Sequence, residues 1–104
     1  MIVRLWRARY DVARRDEIEH IEETHLVPML EQQDGFGGVL FLFRDGEMAL
    51  FSMWRDRTCA DDFADNPDLQ ALARRLRENG TITSEPSVEI FDISGGSFGA
   101  KTKP

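Results

Sequence analysis

The feature of this sequence that most limits its fold is a pair of apolar segments, residues 38–44 and 47–55, separated only by Asp45-Gly46. Asp-Gly between two apolar runs favours a type I′ turn, in which both central residues take positive φ angles. A two-residue turn also fixes the strand register, so that Arg44 faces Glu47 and the pairing continues outward from there. The segments therefore predict an antiparallel β-hairpin.

The predicted register makes both faces of this hairpin apolar, because side chains alternate across a strand. The first face carries Val39, Phe41, Phe43, Met48, Leu50 and Trp54, and the second carries Leu40, Leu42, Ala49, Phe51 and Met53. An antiparallel sheet usually keeps one face in water. The chain has room for two or three helices, which can cover one face only. We therefore expect the second face to meet another surface, in the simplest case the same face of a second copy.

Two further elements are predicted before the hairpin. Residues 2–10 alternate in the manner of a strand. Residues 16–33 have helical periodicity and begin at Asp16, a suitable N-cap residue. Pro28 lacks a backbone N–H group and is expected to kink or end this helix. The first half of the chain therefore has the order strand, helix, hairpin.

Start and stop signals define the elements after the hairpin. Residues 58–65 predict a short helix capped by Thr58. Asn66-Pro67 begins a second helix, because asparagine caps well and proline suits the first helical position, and Asn79-Gly80 ends it. Residues 86–94 predict a last strand.

The order strand, helix, two strands, helix, strand predicts an α+β domain with a ferredoxin-like β-α-β-β-α-β subunit and an antiparallel sheet. With 104 residues, one domain is expected. It covers residues 1–94, and residues 95–104 form a C-terminal tail whose glycine and lysine content predicts flexibility.

Charge and composition exclude several classes of protein. The net charge of −6 argues against a nucleic-acid partner, since phosphate contacts require clustered Lys and Arg. No apolar run approaches the ~18 residues of a membrane span, and the alternating start differs from a signal peptide, so a cytoplasmic protein without a membrane partner is expected. Cys59 is the only cysteine, which excludes an internal disulfide and a cysteine-based metal cluster, and we expect it to be a small buried residue.

Several short motifs in residues 2–94 resemble the antibiotic biosynthesis monooxygenase family, whose subunits pair into a dimeric α+β barrel. They are Pro28, Gly35-Phe36-Gly37-Gly38, Met53-Trp54-Arg55-Asp56, Phe63 and Val88-Glu89-Ile90-Phe91. The resemblance implies a homodimer that closes through its sheet faces, with a pocket between sheet and helices in each subunit. Some members of this family oxygenate phenolic compounds with O₂ and without metal or flavin. The resemblance therefore implies that this chain uses no cofactor.

Other members of that family degrade haem with an asparagine in the first strand and a histidine in the second long helix. Residues 2–10 contain no Asn and residues 67–79 contain no His, so only Trp54 matches that set. Haem degradation is therefore not expected. Haem binding without degradation is a third hypothesis, beside the two that are given at the end of this section.

His25 is the candidate catalytic residue. At ~100° per residue it shares a stripe with Ile18, Ile21 and Met29, and we expect this stripe to face the sheet. A neutral imidazole in an apolar pocket can deprotonate a phenol or hydroquinone, giving an anion that reacts with O₂. The alternative is a buried histidine bonded to a backbone carbonyl or a glutamate.

Five residues are candidates for substrate binding. Trp54 is expected to stack on a flat ligand, because the register places Gly37 opposite and leaves room for the indole. Arg7 is a candidate partner for an anion, and its alternative is an ion pair with Glu89 or Asp92. The others are Tyr10, as a hydrogen-bond donor, and Phe41 and Met29, as pocket walls. The alternative for Trp54 is a position in the core or in the dimer interface.

Two hypotheses for function follow. The first is a cofactor-independent monooxygenase-like protein that acts on a small aromatic or quinol substrate, and it rests on the resemblance. The second is a non-catalytic dimer of the same fold that binds a small aromatic or apolar molecule.

Overall fold

The computed structural model describes residues 1–99, and its centre is a four-stranded antiparallel sheet. The strands are β1 (Ile2–Arg9), β2 (Phe36–Arg44), β3 (Glu47–Trp54) and β4 (Ser87–Asp92). They lie in the order β2-β3-β1-β4, so β2 and β4 are the edge strands. Residues 95–99 of the predicted tail form neither helix nor strand, and residues 100–104 lie outside the described residues.

Helical segments connect β1 to β2 and β3 to β4. The first connection contains a 3₁₀ turn (Val12–Arg14), α1 (Arg15–Ile21), a π turn (Glu22–Leu26) and α2 (Val27–Glu31), and the second contains α3 (Arg57–Ala64) and α4 (Pro67–Glu78). In residues 1–99, no helix is both long enough and apolar enough to cross a membrane.

The predicted helix caps are partly right. Asn66 caps α4 as predicted, since its side chain accepts hydrogen bonds from the N–H groups of Asp68 and Leu69. Thr58 is not the cap of α3: Asp56 fills this role by accepting from the N–H group of Cys59 at 2.9 Å. A carboxylate at an N-cap also favours the positive end of the helix dipole.

The hairpin has the predicted turn. Asp45 and Gly46 have φ angles of 46° and 80°, which are the positive values of a type I′ turn. The predicted pairing is confirmed from the turn to Gly38, which faces Met53. A β-bulge then shifts the register, and Phe36 rather than Gly37 lies opposite Trp54, so the prediction of a glycine opposite the indole is wrong.

The core lies on one side of the sheet, which we call the helix side. On β3, alternate residues are buried there: Met48, Leu50, Ser52 and Trp54. The helical segments contribute Ile18, Leu26, Leu30, Phe63 and Leu76 to the same core. This side carries the first predicted apolar face of the hairpin.

The other side of the sheet, which we call the open side, carries no helix among the described residues. It contains the second predicted apolar face of the hairpin, and Leu40 and Leu42 are 59% and 46% exposed on it. Phe91 from β4 adds a further exposed ring. Both hairpin faces are therefore apolar, as predicted, and only one is covered within the described chain.

Candidate functional site

A groove of about 470 Å³ separates the first helical connection from the edge strand β2. Its walls are formed by Arg15, Glu19, Glu22, Glu23 and Val27 on the helical side and by Phe41 and Phe43 on the strand. We call this space the Glu22 groove. Its aromatic wall suits a flat apolar ligand, and its carboxyl groups supply the polar contacts.

The π turn determines which residues of the helical connection face the sheet. The N–H group of Val27 donates to the carbonyl of Glu22, five residues earlier, which widens the turn. The buried residues then follow every fourth position: Ile18, Glu22, Leu26 and Leu30. An uninterrupted α-helix, with 3.6 residues per turn, does not keep residues at constant steps of four on one line. The π turn therefore keeps Leu26 and Leu30 on the same buried line as Ile18 and Glu22.

Glu22 is a buried acidic residue with an unsatisfied oxygen. Its side chain is 6% exposed, and no described residue donates a hydrogen bond to Oε2. Burial, the largest cause, and the charge of Glu19 together raise the pKa of Glu22 to about 7, and Arg15 opposes the shift. A carboxyl group with this pKa exists in both protonation states near neutral pH, as a general acid or base requires.

Arg15 is the cation in the lining of the Glu22 groove. Its Nε donates to Glu19 Oε1 at 2.7 Å, and this hydrogen bond raises the pKa of Arg15. The guanidinium carbon lies 4.3 Å from the centre of the Phe43 ring, a cation–π contact. Tyr10 packs edge-on against the same ring, with 5.3 Å between ring centres. Arg15 therefore already has an anionic and an aromatic partner.

Of the predicted site residues, Phe41 lies in this groove and Tyr10 lies behind its wall. Tyr10 is buried, at 7% exposure, so its ring contributes to the core beneath Phe43. Phe41 is partly buried and lines the groove directly. These are the two predicted residues that the fold brings close to Glu22.

The prediction that His25 points toward the sheet is wrong. The π turn rotates His25 outward, and Leu26 takes the buried position. The His25 ring is exposed, and its Nδ1 lies 2.7 Å from the hydroxyl of Thr24. Together with Met29 it borders a separate groove of about 450 Å³ against α4, which Leu72 also lines. A catalytic role of His25 stays a prediction about that second groove.

Trp54 lies in the core, which is the alternative given for it, and its role as a ligand wall stays a prediction. The side chain is 0% exposed, and its ring stacks on Phe63 with 5.0 Å between centres. The bulge at Gly37 brings Phe36 edge-on to the indole at 5.6 Å, which removes the space expected there. The indole N–H donates to Ser52 Oγ at 2.9 Å.

Arg7 lies on the open side of the sheet, away from the Glu22 groove. Its Nη2 is 3.3 Å from Glu89 Oε1, so the ion pair weighed as an alternative is present. Both side chains are about half exposed, and an ion pair of this kind contributes little to stability. The predicted anion-binding role of Arg7 therefore has no connection to this groove.

Cys59 is buried, as predicted. Burial raises the pKa of its thiol, and Arg55 Nη2 lies 3.2 Å from the sulfur. A thiol with a raised pKa is a weak nucleophile at neutral pH. Within residues 1–99, His, Cys, Asp and Glu side chains form no group suited to a metal ion.

Comparison with known proteins identifies the fold. No protein-family model and no curated protein matches this sequence. Among solved structures, an antibiotic biosynthesis monooxygenase is similar at a TM-score of 0.74 and 13% identity, over 91% of this chain and 100% of that one. A monooxygenase of Streptomyces coelicolor in complex with nanaomycin D has a TM-score of 0.74 and 10% identity, over 95% and 92% of the two chains.

A third similar structure is a variant of SnoaB, described as a cofactor-independent oxygenase, from Streptomyces nogalater. Its TM-score is 0.72 and its identity 16%, over 91% of this chain and 94% of that one. A protein of unknown function from Nitrosomonas europaea has the same fold. At these identities the similarity concerns the fold alone. This chain has the α+β fold of the antibiotic biosynthesis monooxygenases, as the sequence motifs predicted.

Proposed function

We propose that this protein is a cofactor-independent oxygenase that acts on a small phenol or hydroquinone bound in the Glu22 groove. The observation that carries the proposal is the buried, unpartnered carboxyl group of Glu22 beside an aromatic wall. The fold shared with oxygenases supports the reaction class. Fold alone does not assign a reaction, so the chemistry is argued from this groove.

In the proposed reaction, ionised Glu22 accepts the proton of a phenolic hydroxyl group. Phenols have a pKa near 10, so the acceptor is more effective with a pKa of about 7 than with the ordinary value of 4.5. The resulting phenolate is electron-rich and transfers electrons to O₂. One oxygen atom replaces the hydrogen at a ring carbon and gives a quinone. The other oxygen atom leaves as water, together with the two hydrogens that the substrate loses. The substrate thus supplies all four electrons that reduce O₂.

The groove walls provide the binding surface for this substrate. Phe41 and Phe43 form an aromatic wall for a flat ligand, and Val27 adds an aliphatic contact. The phenolic O–H group would donate to the carboxyl group of Glu22, which lines the groove and whose Oε2 has no donor among the described residues. Binding and proton transfer would therefore use the same contact.

The Glu22→Gln variant tests this proposal, because glutamine keeps the shape of the side chain and cannot accept the phenolic proton. With 1-naphthol as substrate, we expect O₂ consumption and formation of 1,4-naphthoquinone to fall at least about tenfold. The measurement combines an oxygen electrode with chromatography of the product.

Two variants serve as controls for this experiment. Glu31→Gln removes an exposed carboxylate on the same helical connection, outside the groove, and is expected to keep the rate, as is His25→Ala. A loss of turnover in His25→Ala, with full activity in Glu22→Gln, would contradict the proposal and assign the reaction to the second groove. Saturable 1-naphthol binding without O₂ consumption would instead support the non-catalytic ligand-binding dimer.

We also propose that the chain forms a homodimer through the open side of the sheet. Leu40, Leu42 and Phe91 are exposed there, and the charged pair Arg7–Glu89 lies on the same face, on the neighbouring strands β1 and β4. An exposed apolar face suits a two-fold interface, in which one surface meets a copy of itself. The apolar side chains would then leave water on both subunits.

Leu42→Asp is expected to convert the dimer to a monomer, because an aspartate buried among the apolar side chains of the interface would lose its water. Native mass spectrometry or sedimentation measures the result. Val88→Asp is a matched control: Val88 is also 46% exposed, but it pairs with Trp6 and so lies on the helix side. A monomeric parent protein, or equal dissociation of both variants, would contradict this interface.

A further inference from the structure

The charges around the Glu22 groove do not balance. Its lining contains Glu19, Glu22 and Glu23 but a single cation, Arg15. Arg15 is already paired with Glu19 at 2.7 Å. The groove therefore has a net negative charge whenever Glu23 is ionised, and this charge increases when Glu22 loses its proton.

The aromatic wall adds to this preference. The faces of aromatic rings carry partial negative charge and attract cations. Arg15 already uses the Phe43 ring in this way, at 4.3 Å from its centre. Arg7, the cation that the sequence suggested for an anionic ligand, lies on the open side of the sheet and pairs with Glu89. The lining of the groove thus contains no cation that is free to bind an anion.

Glu22 adds a buried hydrogen-bond acceptor to this negatively charged groove. The residue is 6% exposed, it lines the groove, and its Oε2 has no donor among the described residues. An exposed acidic cluster alone would be solvated and would select nothing. A buried acceptor requires a donor, and an ammonium or hydroxyl group on a ligand can provide one.

We infer that the Glu22 groove selects aromatic ligands by charge: it rejects those with a carboxylate, accepts neutral phenols, and binds most tightly those with an ammonium group. The inference rests on the groove being the substrate site of the proposed function. It narrows the substrate class to neutral or amine-bearing phenols. The hydroxyl group would face Glu22, and an ammonium group would lie toward Glu23 near the exposed end of the groove.

Three ligands that share one ring system test this selection. They are 1-naphthol, 5-hydroxynaphthalene-1-carboxylate and 5-(aminomethyl)naphthalen-1-ol, and their Kd values are measured under nitrogen by titration calorimetry at pH 8. We expect the carboxylate to bind about tenfold more weakly than 1-naphthol and the amine to bind about tenfold more tightly. Because charge interactions are screened, both differences are expected to shrink in high salt.

Matched variants locate the effect. Glu23→Gln is expected to reduce the ratio between the amine and the carboxylate about threefold. Glu31→Gln changes the same charge on the same helical connection, but Glu31 is exposed and does not line the groove, so the ratio is expected to stay unchanged. Equal shifts in both variants would show an effect of total charge and would overturn the inference.

Other outcomes are equally decisive. Tighter or equal binding of the carboxylate would overturn the charge selection, and so would the absence of saturable binding by all three ligands at millimolar concentration. Oxygen is excluded from these titrations, so they measure binding alone. Failure of the oxygenase proposal can therefore be distinguished from failure of the charge selection. If the oxygenase proposal alone fails, the expected order of Kd values would persist without any O₂ consumption in air.

Discussion

Replacing Trp54 by alanine is expected to lower the free energy of unfolding by about 4 kcal/mol. The side chain is 0% exposed, stacks on Phe63 and contacts Phe36 edge-on. Alanine would leave a cavity between two aromatic partners and would remove the donor that the indole provides to Ser52. Domains of this size have a total stability of roughly 5–15 kcal/mol, so the loss is a large share of it.

Urea denaturation followed by circular dichroism measures this loss. Trp6→Ala is the control, because Trp6 also lies on the helix side but is only partly buried, and a cost of about half as much is expected. Trp54→Phe keeps most of the ring contacts and provides a folded variant for ligand binding. A Trp54→Ala protein of nearly parental stability that no longer binds 1-naphthol would contradict the core role and restore Trp54 as a ligand wall.

The Glu22→Gln variant is expected to be more stable than the parent at pH 8, by about 2 kcal/mol. In the folded protein the pKa of Glu22 is about 7, above its ordinary value of 4.5, so the folded state binds the proton more tightly than the unfolded state. The associated stability is fully present below pH 4.5 and is lost as the pH rises through 7. The shift corresponds to about 3 kcal/mol, and solvent screening in the groove reduces the expected effect.

Urea denaturation at several pH values between 5 and 8 checks this prediction. The stability difference between Glu22→Gln and the parent should widen as the pH rises to about 7 and then remain constant. The groups that face Glu22 are Glu19, Arg15 and Glu23, and their charges are the same in both proteins. Glu23→Gln should show no comparable trend. A difference that stays constant across this pH range would mean that Glu22 has an ordinary pKa.

The sequence was most informative where local chemistry decides the structure. Asp45-Gly46 specified the turn, the turn specified the register as far as Gly38, and the register specified which side chains share a face. Each step depends on neighbouring residues or on strand alternation, and these are visible in one sequence. The ferredoxin-like order of elements followed from start and stop signals of the same kind.

The errors arose where the backbone added or displaced one residue. The bulge at Gly37 replaced a glycine by Phe36 opposite Trp54, and the π turn replaced His25 by Leu26 on the buried stripe. A shift of one residue changes the direction of every side chain that follows in a strand, and it rotates a helix face by ~100°. The apolar periodicity of a sequence assumes a constant number of residues per turn or per strand pair. It does not reveal where a π turn or a β-bulge adds a residue.

The candidate site was only partly predictable for the same reason. Phe41 was placed correctly because it belongs to the hairpin, whose register is local. Glu22 was missed because an acidic residue is normally assigned to the solvent-facing side of a helix. The available signal was its spacing: Ile18, Glu22, Leu26 and Leu30 lie four residues apart, and three of the four are aliphatic. A glutamate within such a series is a candidate for burial.

The π turn also determines how this helical connection should be aligned with a protein that has an uninterrupted α-helix there. It holds more residues than an α turn, so Leu26 occupies the inward position that residue 25 would otherwise take. An alignment without a gap would therefore match His25 to an inward residue of the other protein and carry its role to an exposed position. A one-residue gap within Glu22–Leu26 restores the equivalence of inward positions. Any motif counted across this helix needs that correction first.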